Sequence, residues 1–217
     1  MANNKDQTNY VKGNSVFLYD SLNQETCADL IGELTELVMS KVKKHQQLLD
    51  INVKTMETPY DISGSNVIDI FINSPGGDVS YKNSIMALLN IARAKGAIIR
   101  TTVTGYAASS ASQIAIQGTH GFRIMYQETY NLIHYGRSCD TATADGEAER
   151  IYKQEKRRRQ NMFNTYKKFT SLTDKEIAEC MKAEKHYFSA KECLNKNMCD
   201  WILTDTGIYL SRKDKQR

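Results

Sequence analysis

Proline is almost missing. Pro59 and Pro75 are the two prolines in 217 residues, so little in the chain forbids long helices. Long hydrophobic runs are missing as well, since no stretch approaches the ~20 apolar residues that a membrane helix needs. The N-terminal run MANNKDQTNYVKGN has no apolar signal-peptide core, which leads us to expect a cytoplasmic protein with no membrane partner. Charge of one sign is not in excess. The 29 basic and 25 acidic residues leave a net charge of +4, too mild to argue for a nucleic-acid partner. The five cysteines, Cys27, Cys139, Cys180, Cys193 and Cys199, contain no CxxC pair and no zinc-like spacing with the four histidines. An odd number in a chain of this size fits free thiols in a reducing compartment, with neither a disulfide framework nor a metal site expected. There is no internal repeat or low-complexity tract, and no GxxxxGK[ST] loop to hold a nucleotide phosphate.

What is present describes one ordinary globular domain, with 41% hydrophobic and 25% charged residues. Residues 1–15 are polar and are expected to be flexible. A short strand is predicted over 16–19. After it, Leu30, Ile31, Leu34, Leu37 and Val38 recur with the period of an amphipathic helix. Residues 67–72 (VIDIFI) form a nearly continuous apolar run, as expected of a strand buried on both faces. A turn, Asn73-Ser74-Pro75-Gly76-Gly77, leads into a helix with Ile85, Leu88, Leu89 and Ala92 on one side, broken at Gly96. Residues 98–103 read as the next strand, so the order strand, helix, strand implies a right-handed parallel crossover. The unit then repeats: Gly105-Tyr106-Ala107-Ala108-Ser109 turns into a small-residue helix over 110–116, followed by short strands at 123–126 and 131–134. A long charged helix is expected over about 143–169. Two capping boxes, Thr173/Glu176 and Ser189/Glu192, start further short helices, a last strand follows at 200–203, and 206–217 is a basic tail.

Ser109 carries the most chemistry. It stands between a buried strand and the first turn of a helix, among Gly105, Ala107, Ala108, Ser110, Ala111 and Ser112, whose small side chains let a substrate backbone come close. The helix N-terminus directs free N–H groups at any anion formed there. A serine in this place is also the commonest kind of helix cap, so the position has two readings. The Gly76-Gly77 turn follows a neighbouring strand of the same parallel sheet, and ligands bind in the crevice at such strand ends. Gly77 N–H and Ser110 N–H could there form an oxyanion hole, with Gly76 and Asp78 beside the substrate. His134 ends a third strand and could act as general base for Ser109. His45 and His120 have no comparable placement, and His186 is its one rival.

Three of these segments, INSPGGDV at 72–79, GYAASSAS at 105–112 and NLIH at 131–134, resemble in order and spacing the signatures of the proteolytic subunit of Clp protease, the ClpP family. A fourth, FSAKECLNKNMCDWIL at 188–203, resembles its C-terminal helix and strand, and the resemblance spans roughly 15–205. It implies an α/β fold of the ClpP/crotonase type, with repeated β-β-α units and the 143–169 helix as a protruding handle. It also implies a serine endopeptidase that cleaves unfolded polypeptides through an acyl-enzyme on Ser109, with His134 as base. Members form a homo-oligomer of stacked heptameric rings, a closed barrel fed by an AAA+ unfoldase; ATP is used by that partner alone, and no cofactor is expected here.

Four departures stand out. The family's catalytic aspartate, four positions before the serine corresponding to Ser189, is replaced by Lys185; its acidic neighbour Glu184 is the candidate third member, the other option being that there is none. Asp140 and Asp145 are further acids without family precedent. Lys185 would suit a Ser–Lys dyad only if desolvated, and its polar flanks favour a surface lysine. Asn197 stands at a usual glycine, and asparagine is the next-best residue for a left-handed helix end. Ala111 replaces a common glycine, and residues 41–66 hold an extra polar segment. The run Lys156-Arg157-Arg158-Arg159 reads as a solvated or ring-contacting face. Alternatives from other classes are a catalytically silent ring subunit and an acyl-CoA enzyme of the crotonase kind; a ClpP-fold viral capsid-maturation protease would keep the peptidase and change its biology.

Overall fold

The computed structural model describes residues 8–41, 56–62, 64, 66–136, 147–182 and 185–212, with backbone alone at 40 and 41. Nine strands of the described residues join one sheet, in the order β1 (Asn9–Lys12), β2 (Ser15–Leu18), β3 (Val67–Ser74), β4 (Ile98–Ala108), β5 (Arg123–Tyr126), β8 (Trp201–Leu203), β9 (Tyr209–Ser211), with β6 (Tyr130–Ile133) and β7 (His186–Ser189) branching from β4. The helices are α1 (Gln24–Glu36), α2 (Val79–Ala94), α3 (Ser110–Ile116), α4 (Glu147–Phe169), α5 (Asp174–Lys182) and α6 (Ala190–Asn195). β2, β3, β4, β5 and β8 run parallel, as the crossovers required.

The branch decides where the site lies. β4 is 11 residues long, longer than either partner on its far side. Its Thr101–Val103 part pairs with β5, and its Tyr106–Ala108 part pairs with β6, which then receives β7 antiparallel. The second half of β4 therefore leaves the main sheet and carries Ser109 at its tip into the angle between the two arms.

The core follows from amphipathic periodicity. Cys27, Leu30 and Leu34 of α1 and Ile85, Met86, Leu89 and Ala92 of α2 are buried with Ile68, Ile70 and Ile72 of β3. Burial of a leucine- or isoleucine-sized side chain contributes about 1.5–3 kcal/mol. α3 is buried all round, and α4 buries only Met162 and Tyr166 along its 23 residues.

Three expectations are corrected. β3 alternates: Ile68, Ile70 and Ile72 are inside, while Asp69 and Phe71 are half-buried, Asp69 paired with Arg100 and Phe71 stacked on Phe17. The flexible segment expected over 1–15 does not hold from Asn9 onward. Buried Asn9 accepts from the N–H groups of Tyr19 and Asp20 through Oδ1, and this pins β1 to β2. The tail expected to begin at 206 first forms β9, which pairs with β8; residues 213–217 lie outside the described ones. By contrast Asn197 takes φ 56°, the left-handed conformation its place predicts, and Ser189 and Glu192 form the reciprocal capping box of α6. Cys27, Cys180, Cys193 and Cys199 are buried and form no disulfide among the described residues, and Cys139 lies outside them.

Candidate active site

Ser109 is one of two non-glycine residues among the described ones with positive φ, at φ 56° and ψ −118°. An L-residue held there costs of the order of 1–3 kcal/mol, and such strain persists only where the surroundings impose it. Here they do: Ser109 N–H donates to Leu132 O at 3.0 Å and its carbonyl accepts from Gln113 N–H at 3.2 Å, fixing both sides of the turn. The side chain makes no capping hydrogen bond to α3, so the helix-cap reading fails. A strained serine at a strand-to-helix turn, its hydroxyl left free of the helix, is the geometry of a nucleophile elbow.

The Gly76-Gly77 turn packs directly against it. A Cβ on Gly76 (φ 83°) would lie 2.3 Å from Ala108 O, 2.8 Å from Ser110 N and 3.0 Å from Ser109 Cβ. A Cβ on Gly77 (φ 143°) would lie 2.4 Å from Leu22 O. No side chain fits at either place. Ser110 Oγ donates to Gly77 O at 2.8 Å, tying the two turns together, while Leu22 clamps the far side through its N–H to Gly76 O and its carbonyl from Asp78 N–H, both at 2.7 Å. Among the described residues no backbone carbonyl accepts from Gly77 N–H or Ser110 N–H. Asp78, expected beside the substrate, lines the pocket of Ser109, with its Oδ1 accepting from Ser80 N–H as the cap of α2, while Gly76 N–H donates to Ser74 Oγ.

His134 follows β6 directly. The parallel register sets Ala108 beside Leu132, which places His134 at the same end of the branch as Ser109. Both line one pocket of about 650 Å³, together with Gly77, Ser110, Lys82 and Arg158. No hydrogen bond joins Ser109 Oγ to His134 among the described residues. Burial lowers the His134 pKa below its ordinary 6.5, and the charge of Lys185 lowers it further. The β6–β7 register pairs Ile133 with His186 and so brings Lys185 up to His134. A lysine thus stands where an orienting carboxylate was sought. Glu184, Asp140 and Asp145 lie outside the described residues, as does His45. His186 packs on Phe188 on the exposed edge strand, and His120 sits in a turn 3.8 Å from Asp200; neither lines the pocket.

Sequence reasoning missed five contributors. Ser112 Oγ donates to Asn131 Oδ1 at 2.5 Å and meets Tyr166 Oη at 2.8 Å, a buried link between the helix of Ser109, the strand of His134 and α4. Asn131 and Ser112 were visible only as members of motifs. Lys82 and Arg158 enter the pocket from α2 and α4, and nothing local in the sequence sets both helices against α3.

The Clp protease family model matches residues 50–206, most of the chain. The chain belongs to the Clp protease family. Membership implies peptidase activity. As a family member it is divergent: it is 30% identical over 140 residues to the ATP-dependent Clp protease proteolytic subunit of Leuconostoc citreum, covering 64% of this chain and 68% of that protein. It is 34% identical over 140 residues to proteolytic subunit 1 of Shouchella clausii, covering 63% and 68%. Among solved structures, a peptidase from Plasmodium falciparum matches with TM-score 0.65 at 16% identity, covering 88% of this chain and 95% of that one. A mutant ClpP1 from Listeria monocytogenes matches with TM-score 0.65 at 20% identity, covering 89% and 92%. The fold is therefore the ClpP type expected from the motifs. No helix among the described residues is long and apolar enough to cross a membrane.

Proposed function

We propose that this Clp protease family chain is a serine endopeptidase subunit that cleaves unfolded polypeptides through an acyl-enzyme on Ser109. The observation that carries the reading is the strained, uncapped Ser109 in one pocket with His134 and two N–H groups that no backbone carbonyl takes among the described residues. His134 takes the Ser109 proton as Oγ attacks the scissile carbonyl and returns it to the leaving amine. Gly77 N–H and Ser110 N–H receive the oxyanion, and Gly76 shapes the turn that aims them. Water, deprotonated by the same imidazole, then releases the acyl group. No cofactor takes part. In this reading the subunit assembles into stacked rings, with an AAA+ unfoldase supplying substrate; support comes from the relatives named as proteolytic subunits of an ATP-dependent protease.

One observation favours a second reading, a silent ring subunit: Lys185 beside His134 opposes the imidazolium that the reaction must form. Labelling of the assembled protein with a fluorophosphonate separates the two. Labelling lost in both Ser109→Ala and His134→Ala is expected; an assembled wild type that does not label belongs to the silent class.

A further inference from the structure

Lys82 lies in the first turn of α2 and its half-buried side chain lines the pocket of Ser109 and His134. Its Nζ donates to the neutral Gln113 Oε1 at 3.1 Å. Among the described residues no carboxylate pairs with it. The neighbouring charge is of the same sign: burial, and then the charge of Arg158 reaching in from α4, hold the Lys82 pKa below its ordinary value. Arg158 pairs with Glu155 at 2.9 Å, but Glu155 is shared, since it also accepts from the Tyr135 hydroxyl. Asp78, the acid that lines the pocket, has Oδ1 engaged at the α2 cap.

A desolvated ammonium without a counterion is unfavourable until an anion reaches it. Among the described residues Lys82 has no carboxylate partner and Arg158 has one that is shared, so the charge pairing of the pocket that holds the nucleophile is incomplete. We propose that Lys82 and Arg158 form a carboxylate-recognition subsite, which directs the enzyme to peptides carrying a carboxylate next to the bond it cuts. The proposal rests on Ser109 as the nucleophile. The carboxylate has two sources, an Asp or Glu side chain or the free C-terminus of the peptide.

The test uses matched fluorogenic peptides with Glu, Gln, Leu or Lys at the residue before the scissile bond, each with a free and an amidated C-terminus. Hydrolysis by the assembled wild type is compared with Lys82→Gln, Arg158→Gln and Lys82→Glu, and binding of the same peptides to Ser109→Ala is followed by fluorescence anisotropy. A charge-assisted hydrogen bond predicts that Glu exceeds Gln in kcat/KM by about 10- to 100-fold. This ratio should fall toward unity in Lys82→Gln and shift to favour Lys in Lys82→Glu, an inversion that misfolding cannot produce. A preference that follows the free C-terminus instead assigns the subsite to the chain end. Equal use of Glu and Gln peptides with either terminus, or a preference that survives both neutral variants, overturns the subsite. If no peptide is cut but Ser109→Ala binds Glu peptides selectively, the peptidase reading fails and the subsite stands.

Discussion

Two charged clusters of this molecule obey opposite rules. Around Arg123 every charge is answered. Its guanidinium meets Asp200 at 2.7 and 2.9 Å, Asn197 Oδ1 and O at 2.9 Å each and Phe169 O at 2.9 Å, while Arg212 adds a second cation to Asp200. Burial pushes the Asp200 carboxyl up, but the Arg123 hydrogen bonds and charge outweigh it and hold it below the ordinary 3.8. Around Ser109 the groups are left unanswered among the described residues: a strained serine without a cap bond, two N–H groups without carbonyls, a half-buried lysine without a carboxylate and a histidine facing a lysine. The first cluster ties β5 to the α6–β8 loop and to the end of α4. The second ties less of the fold together, and its incompleteness is what a substrate can complete.

The largest effect that would sharpen this contrast comes from Ser109→Gly. Hydrolysis should fall by about 10⁴-fold or more, since a nucleophile is removed. Stability should hold or rise, because glycine accepts φ 56° and releases strain of about 1–3 kcal/mol against roughly 0.5–1 kcal/mol of added chain entropy. Denaturant melts of the two proteins measure it. A loss above ~1 kcal/mol would show that the Ser109 hydroxyl does hold the turn, and the two clusters would then differ less than argued here.

Next in size is Asp200→Asn. Removing one partner of a buried ion pair leaves Arg123 uncompensated and should cost about 3–5 kcal/mol, or a fall in Tm of roughly 10 °C or more. The kcat of the folded fraction, counted by active-site labelling, should be unchanged. The acid side sharpens it further. A carboxyl whose folded pKa is lowered contributes stability above its unfolded value of about 3.8, and that stability is lost as pH falls through the folded pKa. The Asn variant should lack this part of the acid transition. Unaltered acid melts would break the comparison from its other side.

The same division sets how much was legible in the sequence. α3 (Ser110–Ile116) and β5 (Arg123–Tyr126) stand where periodicity placed them, and the Ser189/Glu192 box and the left-handed Asn197 were readable because each is a local signal. Ser109, His134 and the Gly76-Gly77 turn were legible because each ends a strand and the parallel order gathers strand ends. β1 was not legible, since its polar NYVK is held by side-chain bonds from Asn9 to a neighbouring strand. Nor was the branching of β4, where one strand serves two partners in succession. Arg158 hid inside a KRRR run that reads as solvent-facing, and Lys82 inside an amphipathic helix; the packing of α2 and α4 on α3 sets both at one pocket.

The smallest effect bears on the one unanswered group whose completion should help rather than harm. A general base works in its neutral form, so the acid limb of kcat/KM follows the His134 pKa in the free enzyme. Burial and Lys185 hold that value below 6.5, and the wild-type limb should therefore lie below pH 6.5. Lys185→Asp replaces a repelling charge with an attracting one, which raises the pKa and moves the limb upward by about 1 pH unit. Above that limb the imidazolium formed in the transition state gains a counterion and an orienting acceptor, so kcat should rise about 10-fold or more. Lys185→Ala, which removes repulsion without adding a carboxylate, should move the limb less and leave kcat nearer the wild type. An unmoved limb in both variants would place the Lys185 charge out of reach of His134. A limb that moves while kcat stays flat would show that His134 is already oriented by other means, and that the lysine costs this enzyme nothing in the transition state.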